Sequence, residues 1–313
     1  MAQKPVDILA VGLQKQYGDI RALQGIDLSV THGERFGLIG PDGAGKTTLI
    51  RVLCGLIRQD KGTFQVAGLD GMRSIRTIKS ILGYMPQKFS LYPDLTVGEN
   101  LRFFADLFHV IGAQRQSREE RLLHFSRLGP FWKRRAGALS GGMKQKLALS
   151  CALIHTPAIL ILDEPTTGVD PVSRREFWEI LRELSDRDGT TILVSTPYMD
   201  EATRCHRVGF MNEGRLLATD TPDNLIHGYP YRVIQVHGEN LFPFRKALET
   251  IPGVRSVCAL GEYLRVSTEK TDAVVHAIGD RLTHAGATGF RIRTVAPLLE
   301  DMFVNLLESG RVS

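Results

Sequence analysis

A nine-residue loop near the start of the sequence places the strongest constraint on what this chain can fold into. It has the pattern GxxxxGK[ST], in which glycines let backbone N–H groups turn toward a bound phosphate. The same pattern supplies a lysine charge for the outer phosphates and a threonine hydroxyl for a magnesium ion. Its residues are Gly40, Pro41, Asp42, Gly43, Ala44, Gly45, Lys46, Thr47 and Thr48. The loop therefore predicts a site for a nucleoside triphosphate.

The sequence on either side of the loop gives the setting that such a site needs. Residues 35–39 are typical of a short buried strand, and residues 48–53 have the spacing of a helix. The loop would then join a strand to a helix whose positive end points at the phosphates. An ordinary glycine-rich turn is the alternative, and this setting makes it the weaker interpretation.

A second apolar run, residues 158–162, ends in the adjacent carboxylates Asp163 and Glu164. Such a run is typical of a central strand in a parallel sheet. A magnesium ion shared with Thr47 would account for Asp163, and orienting an attacking water would account for Glu164. Solvated charges at the end of a strand are the alternative.

Two motifs connect these segments to a known family. Leu139-Ser140-Gly141-Gly142-Met143, followed by Asp163-Glu164-Pro165, resembles the signature and the second acidic motif of ABC transporter ATPase domains. The resemblance covers roughly residues 5–220. It implies an α/β fold, namely a P-loop NTPase ABC cassette with a helical subdomain.

The resemblance also implies the cofactors and the site residues. ATP and Mg²⁺ are the expected cofactors, and Tyr17 looks like the aromatic residue that stacks on adenine. Glu164, Gln87 and Lys46 match catalytic positions of the family. Thr47, Gln87 and Asp163 match the positions that contact the metal.

The Ser140-Gly141-Gly142 turn implies a second subunit. In this family two cassettes close head to tail around two ATP molecules, and this turn contacts the nucleotide held by the other chain. The turn opens a helix expected over residues 143–154, so it is a second anion site at a helix amino end. One nucleotide cannot use both sites within a single chain, so we expect a dimer with a second ABC cassette, either a homodimer or a heterodimer.

One position departs from the family pattern. Members with a working site usually carry a histidine where this chain has Pro197. Proline has neither a side-chain donor nor a backbone N–H, so it cannot contact a γ-phosphate as imidazole does. We expect slow hydrolysis at this chain's own nucleotide and a partner cassette with its own histidine. The alternative is that Glu164 suffices.

The helical subdomain is expected over about residues 89–155. Thr96-Val97-Gly98-Glu99 has the form of a capping box. The helix after it carries an apolar face, which is either core or part of a docking groove: Leu101, Phe103, Phe104, Leu107 and Phe108. The resemblance implies a groove beside Gln87 that receives a membrane permease subunit. The candidates for its rim are Phe89, Leu91, Tyr92 and Pro93.

The sequence changes character near residue 221. We expect an ABC ATPase domain over residues 1–221 and a small C-terminal α+β accessory domain, with the split βαββαβ order, over residues 222–313. Within the second domain, the first helix is expected over residues 242–251, and a final amphipathic helix over residues 297–307. Such appended domains occur in family members that resemble bacterial ABC-2 type exporters of drugs, antibiotics and polysaccharides. The domain could be a stabilising or dimerising flap, or a regulatory ligand site.

Charge and hydropathy limit the classes of partner that we expect this chain to bind. The net charge of +5 suits nucleic acid or anionic lipid, but its basic residues alternate with acidic ones, so no nucleic acid is expected. No stretch has the roughly 20 apolar residues of a membrane span, and residues 1–7 have no secretory pattern. We expect a cytoplasmic protein, peripheral on the inner face of the cell membrane. The resemblance implies that the chain is the ATP-binding and ATP-hydrolysing subunit of a bacterial ABC exporter of the ABC-2 type with a drug-like substrate. The alternative function is a soluble regulatory or nucleic-acid-associated ABC ATPase.

Overall fold

The computed structural model describes residues 5–88, 91–269 and 272–309. Within them the chain forms two compact units, residues 5–221 and residues 222–309. Phe89, a predicted rim residue, lies outside the described residues.

The first unit is built from strands and helices that alternate along much of its length. Its strands are β1 (Val6–Tyr17), β2 (Ile20–Thr31), β3 (Arg35–Ile39), β4 (Lys61–Val66), β5 (Leu69–Asp70), β6 (Leu82–Met85), β7 (Ile159–Asp163), β8 (Thr191–Thr196), β9 (Arg207–Asn212) and β10 (Arg215–Asp220). Its α-helices are α1 (Lys46–Leu53), α2 (Ile75–Ile81), α3 (Val97–Leu107), α4 (Gly112–Ser126), α5 (Gly141–Leu153), α6 (Pro171–Asp186) and α7 (Met199–Ala202).

A six-stranded sheet with the order β10-β9-β3-β8-β7-β6 forms the centre of this unit. All of its neighbouring strands are parallel except the antiparallel pair β9 and β10. Every residue of β3, β7 and β8 is buried, as expected for parallel strands covered on both faces. Parallel strands end at the same edge, so the carboxyl ends of β3, β6, β7 and β8 meet there.

A second, antiparallel sheet has the order β2-β1-β4-β5. Its buried residues share one hydrophobic core with β3, β7 and helix α1, and this core includes Ile8, Phe36 and Leu49. The core fixes the position of the β1–β2 hairpin relative to the start of α1. The predicted α/β cassette fold is confirmed.

The capping box at the start of α3 forms as predicted. Thr96 Oγ1 accepts from Glu99 N at 3.2 Å, and Glu99 Oε2 accepts from Thr96 N at 2.8 Å. The core interpretation of the apolar face of α3 is wrong for two residues. Leu101 is fully buried, but Phe103 is 40% exposed and Leu107 is 59% exposed. The apolar face of α3 is therefore wider than the part of it that neighbouring elements cover.

The second unit carries the split βαββαβ order. Its strands are β11 (Arg232–His237), β12 (Val254–Leu260), β13 (Tyr263–Thr268) and β14 (Arg291–Val295), and its α-helices are α8 (Pro222–His227), α9 (Arg245–Glu249), α10 (Asp272–His284) and α11 (Leu299–Ser309). The antiparallel sheet has the order β12-β13-β11-β14 and packs against α9 and α10. The predicted order of elements is confirmed.

Two helix boundaries in this unit differ from the expected ones. The helix expected over residues 242–251 begins as a 3₁₀ turn, Phe242–Phe244, with Pro243 in its first turn, and only Arg245–Glu249 is α-helical. The last helix, expected over residues 297–307, begins two residues later because Asp301 Oδ2 accepts from Leu298 N at 2.7 Å and caps it there.

In the part of the chain that the structure describes, none of the helices combines the length and the hydropathy of a membrane span.

Candidate functional site

The phosphate loop follows β3 and ends where α1 begins. Gly45, the residue before α1, has a φ of 101°, and a Cβ there would lie 2.4 Å from the carbonyl oxygen of Ala22. Only glycine fits this close approach in a left-handed conformation. Lys46 is the first residue of the helix, and its Nζ donates to the carbonyl oxygens of Gly40 at 2.8 Å and Pro41 at 3.0 Å. The lysine therefore folds back over the loop.

Asp163, the last residue of β7, faces the start of α1. Its Oδ1 accepts from Thr47 Oγ1 at 3.1 Å and from Ser195 Oγ at 2.8 Å. Burial raises the pKa of Asp163 above its usual range, while the hydrogen bonds from Ser195 and Thr47 act against that rise. Its other oxygen, Oδ2, is buried without a hydrogen-bond partner. A buried carboxylate oxygen of this kind fits a site for a cation.

Glu164, the next residue, is held in a left-handed conformation with a φ of 49°. Such a conformation costs on the order of 1–3 kcal/mol for a residue that is not glycine. The Glu164 amide donates to the carbonyl oxygen of Ser195 at 3.1 Å and to its Oγ at 3.0 Å, and these bonds hold the turn. The turn directs the carboxylate away from the strand and toward the phosphate loop.

The three predicted catalytic side chains form one chain of contacts. Glu164 Oε1 lies 3.2 Å from Lys46 Nζ, and both side chains are buried. Glu164 Oε2 accepts from Gln87 Nε2 at 2.8 Å. Gln87 follows the end of β6, so this contact joins two strand ends to the phosphate loop.

An open cleft of about 650 Å³ lies over these groups. It is lined by loop residues 42–48, by Gln87 and Glu164, and by residues 19–22 of the β1–β2 hairpin. Tyr17 does not line the cleft itself. Tyr17 pairs across the hairpin with Ile20, which does line the cleft, and the residue Tyr17 is 46% exposed. An aromatic surface therefore lies next to the end of the cleft.

The Ser140-Gly141-Gly142 turn does not join this cleft. Ser140 precedes α5 and its Oγ accepts from Met143 N at 3.4 Å, while Ser140 and Gly141 are exposed. Gly142 is buried, and a Cβ there would lie 2.4 Å from Ser173 Oγ on α6. The structure thus presents the amino end of α5 at the surface, separate from the phosphate loop.

Two residues of this region were missed from the sequence. Ser195 is fully buried and bonds both acidic residues. Glu201 is fully buried on α7, where it accepts from Thr166 Oγ1 at 2.7 Å and Thr196 Oγ1 at 2.6 Å. Glu201 thereby links the loops after β7 and β8. Ser195 is one of two polar residues that end the apolar run 191–196, and this was a signal in the sequence. Glu201 lies five residues beyond that run and had no comparable signal.

Pro197 follows β8 immediately. Thr196 Oγ1 accepts from Tyr198 N at 3.1 Å, so the chain turns sharply around the proline. Pro197 is partly buried and lies in the short connection between β8 and α7.

A phosphate loop at the carboxyl edge of a parallel sheet, together with an acidic pair at the end of β7, which β8 separates from β3, defines a P-loop nucleotide-binding cassette. Residues 23–167 match the family model described as ABC transporter. The chain is 38% identical over 311 residues to the daunorubicin resistance ATP-binding protein DrrA2 of Streptomyces coeruleorubidus, covering 96% of this chain and 94% of the relative. The chain belongs to the family of ABC transporter ATP-binding proteins.

A second relative is longer. The chain is 44% identical over 308 residues to the probable multidrug ABC transporter ATP-binding protein YbhF of Escherichia coli (strain K12), covering 96% of this chain and 52% of that protein. It therefore spans about half the length of this relative. It is also 37% identical over 302 residues to the Nod factor export ATP-binding protein I of Ralstonia nicotianae, covering 96% and 93% of the two chains.

Solved structures agree with the fold. The dimeric post-hydrolysis state of the ATP-binding cassette MJ0796, bound to ADP and Pi, has a TM-score of 0.63 at 25% identity and covers 68% of this chain and 98% of its own. The structure of cbiO1 from Clostridium perfringens has a TM-score of 0.66 at 25% identity, with coverages of 72% and 92%.

Proposed function

We propose that this chain is the ATP-binding and ATP-hydrolysing subunit of a bacterial ABC exporter of the ABC-2 type with a drug-like substrate. The observation that carries the proposal is the meeting of Lys46, Gln87 and Glu164 under the open cleft. The names of its relatives, which concern multidrug transport, daunorubicin resistance and Nod factor export, support export as the direction.

The cleft has the groups that a nucleoside triphosphate requires. The backbone N–H groups of the phosphate loop, other than at Pro41, and the charge of Lys46 would hold the phosphates, and Tyr17 would lie against the adenine. Thr47, Asp163 and Gln87 would hold Mg²⁺, which neutralises charge on the phosphates during transfer. The unpartnered Asp163 Oδ2 supports this fit. Glu164 would orient the attacking water and accept its proton.

A second cassette would complete the site. Ser140 and Gly141 are exposed at the amino end of α5, where backbone N–H groups favour an anion. They would contact a nucleotide held by the partner, with Gly142 keeping α5 close to α6. Because Pro197 offers no donor, we propose slow turnover at this chain's own nucleotide and a partner cassette that supplies a histidine.

The exposed rings of Tyr92 and Phe103 would receive a permease. Tyr92 is 45% exposed and packs edge to face against Phe103 with their centroids 4.6 Å apart. Fully buried Asn100 accepts from Tyr92 N at 3.0 Å and donates to its carbonyl oxygen at 3.1 Å, which fixes the backbone here. A permease bound at this surface would place the chain on the cytoplasmic face of the membrane.

Nucleotide binding is tested with a fluorescent ATP analogue and the Lys46→Ala variant. We expect a large loss of affinity, whereas Lys61→Ala, a substitution of an exposed lysine, should have no effect. Ser140→Arg should preserve nucleotide binding but abolish an ATP-dependent dimer, measured by light scattering. Unchanged binding in Lys46→Ala would contradict the proposed site.

Permease docking is tested by co-purification from membranes. Tyr92→Ser combined with Phe103→Ser should release the permease while nucleotide affinity stays unchanged. Ile111→Ser is the matched control, because Ile111 is 72% exposed but is not among the proposed rim residues. A salt-sensitive complex with nucleic acid, and none with a membrane protein, would favour the alternative function instead.

A further inference from the structure

We propose that the first unit contains a second ligand site, a cavity that binds a small amphipathic anion. The cavity has a volume of about 350 Å³, which is within the range of small-molecule sites. It lies between α4, the connection from α5 to β7, the turn after α6 and the turn before β3. We call it the basal cavity.

One face of α4 forms a wall of the basal cavity. Arg118, Arg121, Leu122 and Phe125 line it, and their spacing of three and four residues places them on the same side of the helix. The wall thus combines two cationic residues with two apolar ones. A helix face of this mixed kind can contact a ligand that has both an apolar body and a negative charge.

The opposite walls are mainly apolar. Leu153 and Leu184 are buried, and Pro157 and Ala158 add further apolar surface. With a volume of about 350 Å³, the whole cavity can accept a small fused-ring system or a medium-length acyl chain. Removing such a ligand's apolar surface from water stabilises the complex.

The polar rim of the basal cavity is positively charged. Arg118 Nη1 donates to the carbonyl oxygen of Ile154 at 3.1 Å, which holds the guanidinium in place. Since a guanidinium carries five N–H donors, Arg118 can also bind an anion. Arg121 Nη2 donates to Asp188 Oδ2 at 2.5 Å, so the carboxylate that lines the cavity is already neutralised. A carboxylate or sulfonate therefore fits this rim.

His32 adds a further polar group to the rim. Its Nδ1 lies 2.9 Å from Asp7 Oδ2, and its Nε2 lies on the side of Gly189, which also lines the cavity. A ring nitrogen on that side can hydrogen-bond the polar group of a ligand.

The basal cavity is separate from the nucleotide cleft. Ala158 immediately precedes β7 and Thr190 immediately precedes β8, whereas Asp163 and Thr196 end those strands at the cleft. Five or six residues of strand span roughly 15–20 Å. A ligand in the cavity and a nucleotide in the cleft can therefore bind at the same time.

The test is a fluorescence titration of the full chain with 8-anilinonaphthalene-1-sulfonate in the presence of saturating ATP. We expect one saturable site per chain. Decanoate should displace the probe at a concentration at least about tenfold below that required of neutral decanol, because only the acid pairs with Arg118.

Two variants and two matched controls locate the probe. Arg118→Gln should weaken binding about tenfold. Ala158→Phe should fill the cavity and abolish binding. The controls are Arg115→Gln, which removes a half-buried guanidinium of α4 as Arg118→Gln does, and Ala113→Phe, which changes an exposed residue of α4. Both residues lie outside the lining, so both controls should bind the probe as the unaltered chain does.

Circular dichroism of each variant establishes whether it is folded. If Ala158→Phe is unfolded, the Arg118→Gln result alone tests the proposal. Equal affinity in Arg118→Gln and Arg115→Gln, or equal displacement by decanoate and decanol, would overturn the proposal. Loss of the probe signal on addition of ATP would overturn it as well, since the probe would then occupy the nucleotide cleft.

Discussion

The ion pair between Lys46 and Glu164 predicts that Glu164→Gln binds ATP more tightly while hydrolysing it poorly. The two charged atoms lie 3.2 Å apart, and both side chains are buried. At an effective dielectric constant of 20, charges separated by 3.2 Å attract each other by about 5 kcal/mol. A phosphate that approaches Lys46 must compete with this attraction and must also face the Glu164 charge.

The expected gain in affinity is smaller than this Coulomb energy. When a phosphate displaces Glu164 from Lys46, water solvates the freed carboxylate and Gln87 still donates a hydrogen bond to it. Both effects offset much of the Coulomb energy. We expect ATP to bind at least about tenfold more tightly, which corresponds to about 1.4 kcal/mol. Hydrolysis should fall by about 10²–10⁴-fold, because a glutamine amide cannot accept the proton of the attacking water.

The assay is a titration with a fluorescent ATP analogue, combined with single-turnover hydrolysis, on the full chain. Thr167→Val is the matched control, because it removes only a long 3.4 Å hydrogen bond to Glu164 Oε2 and keeps the charge. It should leave both quantities nearly unchanged. Unchanged or weaker ATP binding in Glu164→Gln would refute the view that the ion pair opposes the nucleotide. Undiminished hydrolysis would refute the assigned role of Glu164.

Three further predictions concern other parts of the chain. Pro197→His should raise ATP hydrolysis by up to about a hundredfold, because imidazole restores the donor that the family pattern has at this position; an unchanged rate in a steady-state assay would argue that Glu164 suffices. Arg265→Met should lower the free energy of unfolding of the second unit by about 3–5 kcal/mol in urea titrations, because it leaves the buried Asp301 unpaired. Arg255→Met, which removes an exposed ion pair, should cost less than about 1 kcal/mol, and equal losses would contradict this reasoning. Burial lowers the pKa of His155 from 6.5 to about 4, so the folded chain keeps the ring neutral while the unfolded chain protonates it. Stability should therefore be full above pH 6.5 and fall toward pH 4, and His155→Phe should reduce that fall; the same pH dependence in both proteins would contradict it.

Local sequence was sufficient for elements whose conformation depends on near neighbours. The phosphate loop, the capping box of Thr96 and Glu99, and the βαββαβ order all follow from patterns within short segments. Pro243 and Asp301 moved helix boundaries by a few residues, which is the scale on which local signals compete.

Burial was harder to predict, because hydropathy does not say what covers an apolar face. The spacing on α3 predicted a broad apolar stripe, yet Phe103 and Leu107 remain exposed while Leu101 is buried. The basal cavity was not predicted for the same reason, because hydropathy does not show how helices pack together. The face of α4 that lines it reads as a mixed, solvated surface in sequence, and only its packing beside Leu153 and Leu184 makes it concave.

The sequence by itself determined the chemistry of the phosphate loop, because glycine at position 45 is required by backbone geometry and Lys46 and Thr47 follow it directly. Only the tertiary structure decided which groups meet it. Thr47 and Asp163 lie 116 residues apart, and Gln87 and Glu164 lie 77 residues apart. The strands β6, β7 and β8 run parallel, so their carboxyl ends lie at one edge of the sheet. Burial of their side chains in the core fixes the register between the strands. No short segment therefore contains the information that assembles the site.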